Sequence, residues 1–300
     1  MAHSQTKRNY LQPETVSRIE NLNLIARLVV EGFIIGLHKS PYHGFSVEFA
    51  EHRQYMPGDE IKHIDWKLYG KTDRYYVKQF EEETNLKAHI ILDASRSMGF
   101  GSNGLTKLQY GSYLGAALTY MMLKQQDAVG LTIFDKGIRF IVPPSSRPSY
   151  LNVILGQMDQ VEAGRETDVA TTLHELADRI KKRGLIILIS DLMDDPERVI
   201  TGLKHFRHKK HEVLVFHIMD PQEVHFTYNR QMKFTDMESR ENLTTEPRLI
   251  QNAYRKEIHK FIRHYRQECL SNYIDYIHLT TDEAFDLALT EYLNKRQRLG

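Results

Sequence analysis

Short apolar runs alternate along this chain with longer stretches in which apolar residues recur at every third or fourth position. Residues 90–92 (IIL), 128–134 (AVGLTIF), 185–189 (LIILI) and 213–218 (VLVFHI) are the runs, and 274–279 (IDYIHL) reads as a last strand. Unbroken apolar runs of this length mark strands covered on both faces, as in a parallel sheet between helix layers. Residues 137–142 (GIRFIV) follow Asp135-Lys136 closely enough for a hairpin, so this third strand should run antiparallel to the second and end at Pro143 and Pro144.

The helical period appears between the runs. Residues 17–36 carry Leu22, Ile25, Leu28, Val29 and Phe33 on one side and stop at Gly36. Residues 106–125 place Leu108, Tyr110, Leu114, Ala117, Leu118, Met121 and Met122 on an apolar face, with the methionines as core filling. Further helices are expected over 150–158, over 169–182 ahead of Gly184, after the acidic start Asp194-Asp195-Pro196-Glu197, over 247–271, and from a cap at Asp282 to about Lys295. Residues 222–246 read as a polar excursion with a small hairpin around Phe234.

This alternation predicts an α/β fold: a doubly wound, mostly parallel six-stranded sheet of Rossmann-like type, with one antiparallel edge strand and an N-terminal extension. In strand order 3-2-1-4-5-6, the strands ending at Asp93 and before Asp191 are first and fourth, adjacent where the winding reverses. Residues 1–85 form the N-terminal helix and extension packed on the main domain, and residues 86–300 form that domain. Residues 39–83 keep neither period for long. They hold a turn at Met56-Pro57-Gly58-Asp59, the single tryptophan Trp66, and Arg53, Asp59, Asp65 and Lys71 as structural ion-pair candidates, with a docking surface as the functional alternative.

Composition narrows the class of protein. With 300 residues, 41% hydrophobic and 26% charged, the chain is that of a globular protein. A net charge of +1 gives no bulk attraction to nucleic acid or an anionic membrane. Cys269 is the only cysteine, which rules out an intrachain disulfide and fits a reducing, cytoplasmic compartment. The polar start MAHSQTKRNYLQPE lacks a signal-peptide core, and the apolar segment 22–37 is broken by Arg27 and Glu31 and is too short to span a bilayer.

The candidate chemistry lies where strands end. Asp93, Ser95 and Ser97 leave the first strand as D-x-S-x-S, Thr167-Asp168 sits on the loop before the helix that precedes the fourth strand, and Asp191 follows the fourth. Two carboxylates in one crevice repel unless a cation intervenes. An all-oxygen shell suits Mg²⁺, with Mn²⁺ or Ca²⁺ as alternatives, rather than zinc. With only two carboxylates, the ion can accept another from outside. The structural alternative is a Ser-rich turn in which Asp93 and Ser95 cap backbone groups.

This pattern resembles the metal-ion-dependent adhesion site of von Willebrand factor A domains. The resemblance implies that Ser95, Ser97 and Thr167 ligate the ion directly or through water, and that Asp93 and Asp191 act largely through water. Lys39-Ser40, Gly44, Arg53, Pro57-Gly58-Asp59, Ile64-Asp65-Trp66 and Phe80-Glu81-Glu82-Glu83, with Thr281-Asp282-Glu283 near the end, resemble the bacterial family catalogued as domain of unknown function 58. Members of that family are typically encoded beside MoxR-type AAA+ ATPases and other von Willebrand factor A proteins. With the charge count above, which leaves room for an acidic side chain of a partner, the resemblance implies a non-catalytic, cation-dependent interaction module that acts as an adaptor of such an ATPase system. Glu166 departs from the family's usual Gly before Thr167-Asp168.

Two other function classes compete. A Mg²⁺-dependent phosphoryl-transfer or hydrolytic enzyme would use Asp93 as nucleophile, but Ser95 stands where a second acid is wanted and no lysine is evidently tied to the loop. Motifs of serine hydrolases, zinc proteases and P-loop proteins are missing. The basic tract Lys204-His205-Phe206-Arg207-His208-Lys209-Lys210-His211 reads as a solvated helix end rather than a nucleic-acid contact.

Overall fold

The computed structural model describes residues 12–19, 21–37, 53–54, 69–70, 75–77, 86–164, 168–228, 232–235 and 242–298. Six strands build the main sheet: β1 (Lys87–Asp93), β2 (Ala128–Phe134), β3 (Ile138–Ser145), β4 (Leu185–Ser190), β5 (Glu212–Met219) and β6 (Asp275–Thr280). Their spatial order is β3-β2-β1-β4-β5-β6. All neighbours are parallel except β2 and β3. The winding therefore reverses between β1 and β4, which pair from Ala88 with Leu185 to Leu92 with Ile189.

Alternate side chains of these buried strands feed two helix layers. Ile90, Leu92, Ile187, Ile189, Leu214 and Phe216 join the core beneath α1 (Leu22–Leu37), α2 (Lys107–Lys124), α3 (Tyr150–Asp159) and α7 (Asp286–Gln297). Ile91, Ile186, Leu188, Val213 and Val215 face α4 (Val169–Arg179), α5 (Pro196–His208) and α6 (Pro247–Ser271). Met121 and Met122 are core, as the pattern predicts. Residues 232–235 and 242–245 form an antiparallel hairpin that pairs Phe234 with Leu243. A second antiparallel pair joins 53–54 to 76–77. The side chains of the expected ion-pair set in 39–83, Trp66 and the 56–59 turn lie outside the described residues.

Four element boundaries differ from expectation by three residues or more. The first long helix starts at Leu22, not residue 17, because the Asn21 side chain accepts from Leu24 N at 3.0 Å and caps it there. β3 does not stop before Pro143 but runs through both prolines to Ser145. Among the described residues it is an edge strand bonded on one side, and a register shift between Val129 and Leu131 accommodates the missing N–H groups. Gly130 is required there, since a Cβ would lie 2.7 Å from Val142 O and 2.8 Å from Pro144 N. α4 ends at Arg179 rather than 182, where Ile180 turns extended and buries its side chain. Asp282 does not cap α7: the helix begins at Asp286 after Phe285, which stacks on Tyr110 at 4.7 Å and fixes the preceding turn.

Candidate functional site

Asp93 is the last residue of β1 and is fully buried. Its Oδ1 accepts from Ser95 N at 2.8 Å, which folds the chain back into a tight turn. The capping role foreseen for Asp93 is therefore real. Its Oδ2 accepts from Ser190 Oγ at 2.5 Å, across from the end of β4. Ser95 Oγ and Ser97 Oγ stand 3.1 Å apart. Ser95 is buried and Ser97 half-buried, so the pair runs from the interior to the rim.

Asp191 follows β4 and is also fully buried. Its Oδ1 accepts from Met193 N at 3.2 Å. Its Oδ2 accepts from Lys107 Nζ at 2.8 Å. The same ammonium reaches Glu223 Oε1 at 2.6 Å and is itself wholly buried. Glu223 Oε2 accepts from Asp220 N at 2.9 Å, and Asp220 holds Ser102 through its N and Oγ at 2.8 and 2.6 Å. The ends of β1, β4 and β5, the start of α2 and the short helix Pro221–His225 thus meet in one polar network at the carboxyl edge of the sheet.

Electrostatics separates the two central acids. Burial, and then the nearby Asp191 charge, push the Asp93 carboxyl up to about 7, against the hydrogen bonds from Ser190 and Ser95. Burial would raise Asp191 too, but the Lys107 ammonium and hydrogen bonds from Lys107, Ser97 and Met193 N outweigh it and hold the carboxyl low. Glu223 is raised, mainly by burial, which Lys107 only partly offsets. Lys107 stays firmly charged: burial opposes this, but Asp191 and Glu223 override it. One cation therefore serves both Asp191 and Glu223, and among the described residues Asp93 has no counter-charge.

Of the five expected site residues, Asp93, Ser95, Ser97 and Asp191 come together. Thr167 and the neighbouring Glu166 lie outside the described residues. The described flanks of their loop are close by: Gly164 N donates to Ala94 O at 2.6 Å, and Asp168 caps α4 by accepting from Thr171 N at 3.1 Å. Sequence reading missed Ser190, Lys107 and Glu223. The statement that no lysine is tied to the loop is corrected by Lys107, which sits at the first position of α2. A signal existed: the Thr106–Gln109 capping box places Lys107 at a helix N-terminus, where a cation opposes the helix dipole and needs acidic partners.

The donor set can be tested against a divalent ion. Two ligands at right angles around Mg²⁺, each about 2.1 Å away, stand roughly 3.0 Å apart, which matches the Ser95–Ser97 hydroxyl spacing. The donors are all oxygen, as a hard cation requires, and the uncompensated acid gives it a reason to enter. Among the described residues no group of three or more His, Cys, Asp or Glu side chains is arranged to hold a metal, so the fit rests on two carboxylates and two hydroxyls.

The basic tract is neutralised locally. Arg207 pairs with Glu212 at 2.7 Å, Lys209 with Asp178 at 2.6 Å and Lys204 with Glu268 at 3.5 Å, while His211 is buried. No helix among the described residues is long and apolar enough to cross a membrane.

A doubly wound sheet with its polar network at the winding reversal defines an open α/β domain of the kind that places its sites in that crevice. The chain belongs to the family described as Protein of unknown function DUF58, whose model matches residues 51–268. Similar relatives are the uncharacterized proteins Rv1480 of Mycobacterium tuberculosis and Mb1516 of Mycobacterium bovis, each 25% identical over 235 residues that cover 76% of this chain and 72% of the relative. Among solved structures, an aerotolerance-related membrane protein of Bacteroides fragilis shares the fold, with a TM-score of 0.50 and 16% identity over 70% of this chain and 99% of that one. BatB of Bacteroides thetaiotaomicron (TM-score 0.48, 14% identity, 71% and 99% covered) and the SpRpn10 VWA domain (0.41, 10%, 69% and 94%) are also similar.

Proposed function

We propose that this chain is a non-catalytic, divalent-cation-dependent protein-interaction module. Its family and von Willebrand factor A-like fold suggest the coarser class, a protein-interaction module. The finer reading assigns Asp93, Ser95, Ser97, Thr167 and Asp191 to a Mg²⁺ site, with Mn²⁺ or Ca²⁺ as substitutes, that receives a carboxylate from a partner. The observation that carries it is the buried Asp93 carboxyl, near the Asp191 charge and beside the Ser95–Ser97 hydroxyl pair, with no counter-charge of its own among the described residues.

In this reading Ser95 and Ser97 offer hydroxyl ligands directly. Asp93 and Asp191, whose oxygens already accept from protein donors, orient ion-bound water. A bound ion supplies net positive charge that an acidic side chain can complete. The partner is a MoxR-type AAA+ ATPase or another von Willebrand factor A protein, as the family resemblance implies, and the setting is the cytoplasm, which fits the buried, unpaired Cys269.

Lys107 adds a part the phosphoryl-transfer reading lacked. However, its ammonium is held by Asp191 and Glu223, and both Asp93 oxygens accept hydrogen bonds, which blunts a nucleophile. The deciding experiment immobilises wild type and Asp93→Ala and offers each a purified MoxR-type ATPase from the same genome in Mg²⁺. Retention by wild type and loss by the variant is the expected result; equal retention overturns the role of the ion. Turnover of a phosphate ester by wild type, lost in Asp93→Asn, would replace this reading with the enzymatic one.

A further inference from the structure

We propose that Lys107 and Glu223 act as a charge-setting pair for the cation site, and that Glu223 holds the Lys107 charge partly away from Asp191. This rests on the cation reading above and deepens it. The geometry is a buried relay: Lys107 Nζ lies 2.8 Å from Asp191 Oδ2 and 2.6 Å from Glu223 Oε1, with both Lys107 and Asp191 side chains at 0% exposure.

A buried ammonium on a carboxylate that orients ion-bound water competes with the ion for the same negative charge. Inside a protein that competition is strong, because unit charges a few Å apart interact far more than in water. Glu223 takes the shorter of the ammonium's two hydrogen bonds and shares its charge, so Asp191 keeps part of its own charge for an ion. Glu223 also anchors the short helix Pro221–His225 by accepting from Asp220 N, and Asp220 grips Ser102 on the segment between Ser97 and Lys107. The cation site is therefore tied to the helix Pro221–His225, where the 222–246 excursion starts, through Glu223 and Asp220.

The charge model makes predictions of opposite sign that a packing role does not. Glu223→Gln leaves Lys107 to Asp191 alone and should weaken cation binding on the order of tenfold. Lys107→Met removes the competing charge and should strengthen binding. The double variant Lys107→Met/Glu223→Gln has the wild-type net charge and should recover wild-type affinity to within about threefold.

The probe is Mn²⁺, titrated by calorimetry and by the electron paramagnetic resonance signal of the free ion, with circular dichroism to confirm folding of each full-length variant. Weakening in Glu223→Gln and recovery in the double variant support the proposal, even if Lys107→Met alone fails to fold. Equal affinity in all folded variants, or a double variant weaker than Glu223→Gln, overturns it while leaving the cation reading standing. Absence of Mn²⁺ binding to wild type overturns both.

Discussion

Asp93 ends β1 and Asp191 directly follows its parallel neighbour β4, yet among the described residues only Asp191 has a counter-charge, the 2.8 Å contact from Lys107. Asp93 answers instead to two neutral donors, Ser95 N and Ser190 Oγ. This asymmetry leaves a buried like-charge conflict on the rim, and a site that strains the fold in this way has a recognisable mutational signature.

Asp93→Asn should raise the melting temperature measured in chelator, because it removes one of two mutually repelling buried acids. The same variant should lose the upward shift that Mg²⁺ gives wild type, since binding to the native state alone is what stabilises it. Differential scanning fluorimetry with and without Mg²⁺ measures both effects. A variant that melts lower than wild type in chelator and still responds to Mg²⁺ would contradict the assignment.

Acid should destabilise the protein through its buried histidines. His217 is fully buried among Phe261, Tyr265, Tyr276 and His278, and burial, then the His278 charge, push its imidazole down to about 3. Above about pH 6.5 both folded and unfolded forms are neutral and its contribution is complete. Below that, the unfolded chain takes up a proton that the native state refuses, and stability falls by roughly 1.4 kcal/mol per pH unit towards pH 3. Asp93, held up to about 7, works in the opposite sense in part of this window. The measurement is therefore the difference between wild type and His217→Gln in urea unfolding at pH 7 and pH 5. The variant should show the shallower acid loss.

Two glycines should respond oppositely to alanine. A Cβ at Gly184 would lie 2.2 Å from Lys87 O, where β4 begins beside β1. Gly184→Ala should therefore cost about 3 kcal/mol, the upper end for overpacking, because the obstacle is backbone. Gly156, inside α3, meets nothing within 4 Å, and Gly156→Ala should add about 0.5–1 kcal/mol through helix propensity. Urea midpoints of the two variants against wild type check both signs.

Legibility differed sharply between scaffold and site. β2 and α6 match the pattern residue for residue, and β4 and β5 within one or two, because a buried strand or amphipathic helix writes its environment into its own composition. Pro143 and Pro144 misled because their penalty depends on whether a strand is an edge, which is a property of the sheet. Asp282 misled because an acid ahead of a helix is a cap only if the chain turns there, and the Phe285–Tyr110 stack moves the turn. Lys107 was visible as a helix residue but not as a site residue, since its partners lie 84 and 116 positions away.

By itself, the sequence determined the layered α/β architecture, the strands that are buried, and the oxygen donors that leave them, because these follow from local periodicity and residue type. Only the tertiary structure decided which donors share a crevice and how their charges balance. Register between β1 and β4 brings Ser190 onto Asp93, and the approach of α2 and the 221–225 helix brings Lys107 between Asp191 and Glu223. The physical reason is that burial and Coulomb interactions depend on distance through space, which no local stretch of the chain encodes.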